Sequence, residues 1–425
     1  MQTPLTALPI GQKIKQVRVS KGLTQSNVAN ALNKSEMTIV RIEHGQTIPN
    51  AETLTKIKDI LDIQHAPLLD NELTIYKRRL WVWRALLLTN QLDKAIVMEE
   101  ELSVIQSLPF ERDLIIMYQM IQSTRFLREG NIIDVKEMID NAKISYNEMS
   151  ANAKYLYHYA CGDMASDKYY NNTTKSLEHY LKALEYKSAD AGEDVFVLLK
   201  IGRIYSNRGK PFKAIEYLQP IRRSGDLTNF FYAWIDGLIG GCYLLLGEYD
   251  KAKQLLEDAL QQARALVDSV YIAITLSDLA LANMMLNNMD EAQSLCEESM
   301  DMLKGAMPMY LISLSCMVRI LMKKKQYKKA KEAVLEGKSL AKGQPEVFAV
   351  VFESLGHLMN LNDDKSTEYL ETVAIPFLQG TLQNFIALEI CDTLEEHYKK
   401  KNTKIKMLAI AAVSRNIYRG MLGDW

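Results

Sequence analysis

The chain has 425 residues, of which 48% are hydrophobic and 24% are charged, and its formal net charge is −1. A chain of this length exceeds one ordinary hydrophobic core, so we expect two or more domains or a repeat array. The sequence contains only 10 prolines and 20 glycines. Because sheet-rich folds need many turn residues, this composition favours an all-α protein.

The absence of several motifs narrows the possible functions. The five cysteines are at least 20 residues apart, so we expect no metal site and a reducing environment. No HExxH, GxSxG or P-loop motif occurs, so we expect neither enzymatic activity nor a cofactor. The sequence also shows no secretory signal and no run of about 18 apolar residues, which predicts a cytoplasmic protein without a membrane span.

The first 65 residues predict a group of short helices. An apolar stripe at helical spacing predicts a helix from residue 10 to residue 20, and Gly22 predicts its end. Thr24 and Ser35 are predicted N-caps of the second and third helices, and a fourth helix starts after Asn50. Eight basic residues against five acidic ones leave this segment with a net charge of +3, which permits a polyanionic partner.

These helices carry a specific set of residues: Ile10-Gly11, Arg18, Leu23-Thr24-Gln25, Val28-Ala29, Ile39, Ile42-Glu43, Gly45, Pro49 and Leu54. On this set the segment resembles the Cro/XRE phage-repressor-type helix-turn-helix family. The resemblance implies that the third helix is a recognition helix, which enters the major groove of DNA. It also implies an internal ion pair between Arg18 and Glu43 with a structural role.

The resemblance further implies a set of DNA-contacting side chains, namely Gln25, Ser35, Glu36, Met37, Thr38 and Arg41. Gln25 would contact a phosphate and brace the recognition helix. Arg41 would pair with guanine, Glu36 would accept a hydrogen bond from cytosine N4, and Met37 would touch a thymine methyl group. A solvated or phosphate-bound arginine is the alternative for Arg41. Lys34, Glu36 and Met37 depart from the residue types that the family prefers, so the operator sequence stays open.

From about residue 75 the chain repeats itself. The small residue at the start of each unit's second helix recurs at Ala95, Val135, Ser176, Ala214, Ala252, Ala292 and Ala330, with spacings of 40, 41, 38, 38, 40 and 38 residues. Such a unit predicts a helix hairpin that buries its apolar face against the next hairpin. The pattern resembles tetratricopeptide repeats in a slightly lengthened form. Divergent units at 345–380 and 381–420 would bring the total to about nine.

The predicted fold is therefore all-α. Residues 1–66 form a five-helix helix-turn-helix domain of XRE type, residues 67–80 a linker helix, and residues 81–425 a right-handed superhelix of tetratricopeptide-like hairpins. A C-terminal helix would cap the stack with an apolar face of Ile405, Leu408, Ala412, Val413 and Ile417. The linker region would be either an ordinary first repeat helix or a helix that follows DNA phosphates, because it carries Lys77, Arg78, Arg79, Trp81 and Trp83.

The order of the two parts resembles the RRNPP family of Gram-positive quorum-sensing regulators, named for Rap, Rgg, NprR, PlcR and PrgX. The length and the number of repeats are most similar to the NprR branch. The resemblance implies that a concave groove binds a short, re-imported signalling peptide. It also implies that the peptide changes a homodimer or tetramer, and with it the spacing of two DNA-binding heads on an imperfectly palindromic double-stranded DNA site.

The phase of the repeats predicts inward-facing residues on first helices: Arg128, Arg203, Asn207, Trp234 and Arg319. Asn207 would grip a peptide amide with both its donor and its acceptor. Arg203 or Arg128 would bind the carboxylate terminus of the peptide. An ordinary solvated or interhelical role is the alternative for each of these residues.

Two other functions are compatible with the same sequence. In the first, the repeats sequester a signalling protein, as Rap-type relatives do, and the DNA-binding module is secondary. In the second, the protein is a ligand-independent repressor that uses its repeats only to oligomerise. The three hypotheses differ in what the repeats bind, which is a peptide, a protein or a second copy of the chain.

Overall fold

The computed structural model describes residues 8–64, 68–108, 111–166, 172–187, 194–223, 229–266, 269–379 and 383–422. Regular secondary structure in these ranges is helical throughout, which confirms the all-α fold class. The chain divides into two compact units, Met1–Val197 and Leu198–Trp425. Within the described ranges, no helix combines the length and the apolar character that crossing a membrane would require.

The first unit begins with four short helices, which are α1 (Ile10–Ser20), α2 (Gln25–Ala31), α3 (Glu36–Glu43) and α4 (Ala51–Ile60). The predicted caps are confirmed. The Thr24 side chain accepts a hydrogen bond from the backbone N–H of Asn27, at 3.0 Å, and Ser35 accepts one from Thr38. Gly22 has a φ of +68°, a left-handed conformation that lets the chain leave α1 without strain.

The helix-turn-helix core is a cluster of apolar side chains from all four helices. Its buried members include Ile14, Val17, Val28, Ala29, Ile39, Ile42, Leu54, Ile57 and Leu61. Helices α1 and α3 approach each other at Gly11, where a Cβ atom would lie 1.9 Å from the carbonyl oxygen of Ile42. Only glycine fits this position, because any other side chain would push the recognition helix α3 away from α1.

Three helix hairpins follow in the described residues of the first unit. Their helices are α5 (Asp70–Leu88), α6 (Leu92–Leu102), α7 (Arg112–Glu129), α8 (Ile132–Lys143), α9 (Ala151–Ser166) and α10 (Thr173–Glu185). Helix α5 packs against α6 and α7, as the first helix of a repeat does. The predicted linker limit at residue 80 falls inside α5, so no break separates a linker helix from the first hairpin.

The helix-turn-helix core is joined to the first hairpin by both apolar and charged contacts. Leu108, which follows α6, belongs to the same apolar cluster as the four short helices. The Lys13 ammonium on α1 is 1% exposed. It pairs with Glu111 at 2.8 Å and donates a hydrogen bond to the carbonyl oxygen of Leu68 at 3.2 Å. On α4, Lys58 pairs with Glu72 of α5 at 2.7 Å.

Further hairpins follow in the second unit. Their helices are α11 (Val195–Asn207), α12 (Pro211–Arg223), α13 (Asn229–Leu245), α14 (Tyr249–Leu266), α15 (Ser269–Met285), α16 (Met289–Met302), α17 (Met309–Lys323), α18 (Tyr327–Leu340), α19 (Glu346–Leu358), α20 (Asp364–Tyr369), α21 (Ile375–Leu378), α22 (Asn384–Lys400) and α23 (Lys404–Leu422). A short π-helical turn, Leu370–Ala374, joins α20 to α21.

The small residues that define the repeat are buried in the structure. Ala214, Ala252, Ala292 and Ala330 each have 0% exposure at the start of a second helix. First helices of successive hairpins pack directly on one another, α13 on α15, α15 on α17 and α17 on α19. Within the second unit the last hairpin also returns to the first, because α23 packs on α12 and Asn384 donates a hydrogen bond to the Gly209 carbonyl.

The apolar face predicted for the last helix was wrong at three positions. Ile405 and Leu408 are 86% and 62% exposed and Ala412 is exposed as well, whereas the buried residues of α23 are Ile410, Ile417 and Met421. The helix carries two apolar stripes at helical spacing, and periodicity does not tell which of them meets the preceding hairpin.

We expect Gly11→Ala to destabilise the helix-turn-helix domain by about 2 kcal/mol or more, because the new methyl group meets the backbone of α3. Hydrogen exchange of α1 to α4 should then accelerate roughly 30-fold. Gly420→Ala on α23 is the matched control, since no atom lies within 4 Å of its Cβ position. Unchanged exchange in Gly11→Ala would contradict the close approach of α1 and α3.

Candidate DNA-binding and ligand-binding sites

The recognition helix α3 has one buried and one open face. Ile39 and Ile42 are 1% and 2% exposed and anchor the helix in the core. The predicted DNA-contacting residues lie on the other side, where Ser35, Glu36, Met37 and Arg41 are exposed and Thr38 is half-buried. Met37 is 58% exposed, like two other apolar side chains of this domain, Val19 at 58% and Ile48 at 81%. The structure therefore brings these candidate residues together on one accessible surface.

A buried ion pair holds the recognition helix against the first two helices. Arg18 of α1 donates to Glu43 of α3 at 2.9 Å and to the Leu23 carbonyl at 2.7 Å. Gln25 of α2 donates to the same Glu43 carboxylate at 2.7 Å. The predicted ion pair between Arg18 and Glu43 is confirmed. The hydrogen bond from Gln25 is the bracing contact that was expected, while its contact with phosphate stays a prediction.

The electrostatics of this cluster keep it charged. Burial alone would raise the pKa of Glu43, but hydrogen bonds from Arg18 and Gln25 outweigh that effect and the pKa lies below its ordinary value of 4.5. The hydrogen bond to Glu43 raises the pKa of Arg18. Both groups are thus ionised at neutral pH, and their ion pair joins α3 to α1.

The predicted peptide-binding residues all lie on first helices of hairpins. Arg128 is exposed on α7 of the first unit. In the second unit, Asn207 is exposed and Arg203 half-buried on α11, and Trp234 is half-buried on α13. The Trp234 ring lies 6.2 Å from the Tyr271 ring of α15. A ligand role for these four residues stays a prediction.

Arg319 of α17 has a partner within the protein. Its side chain is 4% exposed, donates to Glu389 of α22 at 2.6 Å, and lies 4.9 Å above the ring of Phe385. Glu389 and Phe385 could not be recognised as partners from the sequence, because an entire hairpin separates them from Arg319 along the chain. This contact ties α17 to the last hairpin, and a role for Arg319 in peptide binding stays a prediction.

A half-buried stripe runs along α15 and was also missed. Its residues recur at helical spacing and are Tyr271, Ile274, Asp278, Leu281 and Met285. Every other residue from 272 to 284 is buried, so the stripe is the open side of this helix. We call it the α15 stripe. The sequence signal that would have revealed the stripe is a single acidic residue, Asp278, among otherwise uncharged, largely apolar residues at helical spacing.

We expect Glu43→Gln to destabilise the helix-turn-helix domain by about 1.5–3 kcal/mol at neutral pH, because Arg18 loses a charged partner. Because the pKa of Glu43 is lowered in the folded protein, the charged pair stabilises the domain fully at any pH above 4.5, the ordinary pKa of a glutamate. This stabilisation is lost as the pH falls through the lower pKa that Glu43 has in the folded protein. Calorimetric unfolding between pH 3 and pH 7 measures this difference. Glu52→Gln, which alters an exposed pair with Lys56, is the matched control, and an equal effect of both substitutions would contradict the bracing role.

Comparison with known protein families agrees with the two-part architecture. Residues 14–68 match the helix-turn-helix family, and residues 231–305 match the tetratricopeptide repeat family. Human endothelial differentiation-related factor 1 is 39% identical over 57 residues, and its rat counterpart is 37% identical over the same length. These matches cover 13% of this chain and 38% of the length of each relative, so they concern a short stretch of each protein.

Solved structures resemble the chain over most of its length. A Rap protein complexed with competence and sporulation factor has a TM-score of 0.64 at 17% identity, covering 82% of this chain and 99% of that one. The quorum sensor NprR from B. thuringiensis, in its apo form, has a TM-score of 0.62 at 21% identity, and the match covers 82% of this chain and 100% of NprR. The chain thus combines a helix-turn-helix domain with tetratricopeptide repeats, and over most of its length it has the fold of the Rap and NprR structures, as the resemblance in the sequence predicted.

Proposed function

We propose that the protein is a sequence-specific, DNA-binding transcription regulator of the cytoplasm whose repeats bind a short signalling peptide. Peptide binding would change its oligomeric arrangement and its DNA affinity. The observation that carries the proposal is the open face of α3, which presents Glu36, Met37 and Arg41 while its other face is held in the core. A short helix with one accessible polar face at a helix-turn-helix junction fits the DNA major groove.

The DNA-binding role follows from the chemistry of this face. The Arg41 guanidinium can donate two hydrogen bonds to one guanine, and the Glu36 carboxylate can accept one from cytosine. Gln25 would add a phosphate contact from the start of α2. One recognition helix reads only a few base pairs, so we expect a homodimer, or a tetramer, on an imperfect palindrome.

The peptide-binding role is supported by fold likeness and by the chemistry of the second unit. NprR has been solved in complex with its cognate peptide NprX, and that structure has a TM-score of 0.61 with this chain at 20% identity. Arg203, Asn207 and Trp234 offer a cation, an amide and an aromatic surface on neighbouring first helices. An amide side chain can pair with a peptide group, and a guanidinium with a terminal carboxylate.

Peptide binding can alter DNA binding only under two conditions. The repeats must be physically connected to the helix-turn-helix domain, and the peptide must bind two arrangements of the repeats with different affinities. The buried pair of Lys13 and Glu111 supplies a connection between the helix-turn-helix domain and the first hairpins. A peptide alters DNA binding only if it binds one arrangement of the repeats more tightly than the other. Rearrangement of the repeats in a dimer would then change the distance between the two recognition helices.

A protein-sequestering scaffold is the second candidate function, and the likeness to a Rap structure favours it. In that case the repeats would hold a protein partner rather than a peptide. Full-length protein used as bait in a cell lysate separates the two, because a stoichiometric protein partner supports the scaffold and its absence supports the peptide sensor.

The DNA-binding part is tested by selecting bound duplexes from a random library with the full-length protein. We expect a palindromic consensus. Arg41→Ala should weaken binding to it by about 1–3 kcal/mol and relax one base position in each half-site. Arg419→Ala, at an exposed arginine of α23, is the control and should leave binding unchanged. If no consensus emerges, the DNA-binding proposal fails, and if Arg41→Ala binds normally, Arg41 is not a base reader.

A further inference from the structure

Asp278 is the single charged residue of the α15 stripe. The stripe residues on either side of it, Ile274 and Leu281, are apolar and half-buried, and the remaining surface of α15 at this height is packed against other helices. The Asp278 carboxylate therefore lies in an apolar strip on the open side of a first helix, where a ligand of the repeats would meet it.

The carboxylate of Asp278 has no hydrogen-bond or ion-pair partner among the residues that the structure describes. The arginine of the adjacent first helix, Arg319, is already paired with Glu389. Cys316 on the same helix is close enough for the charge of Asp278 to influence it, but a thiol offers no countercharge. Burial without compensation raises the pKa of Asp278 to about 7.

Space beside the carboxylate is kept open by the preceding first helix. Gly241 of α13 faces Asp278, and a Cβ atom at this glycine would lie 4.0 Å from the Asp278 Oδ2 atom. Any larger side chain at position 241 would extend over the carboxylate. One turn earlier on α13, Gly237 accommodates the hydroxyl of Tyr271, which lies 2.2 Å from the position of a Cβ atom there. Gly241 thus leaves the acid accessible from the side of α13, while Gly237 makes room for Tyr271 of the α15 stripe.

We propose that Asp278 anchors a cationic group of the bound peptide, either a lysine or arginine side chain or the terminal ammonium. This inference rests on the proposed peptide-binding function and names the chemistry of its ligand. An unpaired carboxylate in apolar surroundings destabilises the protein. A cation placed beside it removes that penalty and forms a charge-assisted hydrogen bond, which is stronger here than in water.

Asp278→Asn tests the inference without threatening the fold. The pKa of Asp278 in the folded protein is raised from 3.8 to about 7. The ionised carboxylate therefore lowers the free energy of unfolding at any pH above 3.8, and this loss is largest at pH 7 and above. The amide variant should therefore fold and melt at a higher temperature than the wild type at about pH 8. Asp301→Asn, at an exposed acid of α16, is the matched control and should not change the melting temperature.

The binding test exposes the full-length protein to a pooled library of random short peptides and identifies the retained sequences by mass spectrometry. We expect the wild type and Asp301→Asn to enrich lysine or arginine at one position, and Asp278→Asn to lose that enrichment by about tenfold. A parallel library of peptides with acetylated N-termini shows whether Asp278 binds a cationic side chain or the terminal ammonium of the peptide. Loss of binding on acetylation, without positional enrichment, assigns the terminal ammonium as the partner of Asp278.

The possible outcomes distinguish this inference from the function on which it rests. If peptides are retained with no preference for a cation, or with a preference that persists in Asp278→Asn, the role of Asp278 is refuted and the peptide-binding function stands. If the wild type retains no peptide, both are refuted. Loss of the preference in Asp278→Asn alone supports both.

Discussion

The buried ammonium group of Lys13 is the constraint on which the arrangement of the first unit depends. A charge with 1% exposure must be paired, and its partners are Glu111, beyond α6, and the Leu68 carbonyl, just before α5. Moving the helix-turn-helix domain off the first hairpin would strand this charge and expose Leu108. These contacts therefore hold the helix-turn-helix domain, and α3 with it, against the first hairpin.

Helix α1 connects these contacts to α3, whose exposed face carries the proposed DNA-contacting residues. It carries Lys13 toward the hairpins, Gly11 against the backbone of Ile42, and Arg18 into the carboxylate of Glu43. The contacts of Gly11 and Arg18 thus leave α3 little freedom relative to α1, and the contacts of Lys13 hold α1 on the hairpins. In the second unit, the last hairpin packs on the first, and Arg319 of α17 binds Glu389 of α22. In both units, polar contacts between residues far apart in the chain hold separate hairpins or domains together.

Features of the fold that depend on residues close together in the chain could be predicted from the sequence. The caps at Thr24 and Ser35 and the small residues of the repeat follow from helix chemistry and periodicity, and the ion pair of Arg18 with Glu43 follows from family resemblance. Partners of long-range polar residues could not be predicted. Nothing near Lys13 in the sequence points to Glu111, and nothing near Arg319 points to Glu389. The exposure of Ile405 was equally hidden, because a helix with two apolar stripes buries whichever one the neighbouring hairpin meets.

Control of DNA binding by a ligand of the repeats can be measured on the full chain. The measurement is its affinity for the selected DNA site at fixed salt, with and without a saturating concentration of a retained peptide. We expect the affinity to change by about tenfold or more, equivalent to a coupling free energy of about 1.4 kcal/mol or more. Equal affinity in both conditions would rule out this control and leave a ligand-independent repressor.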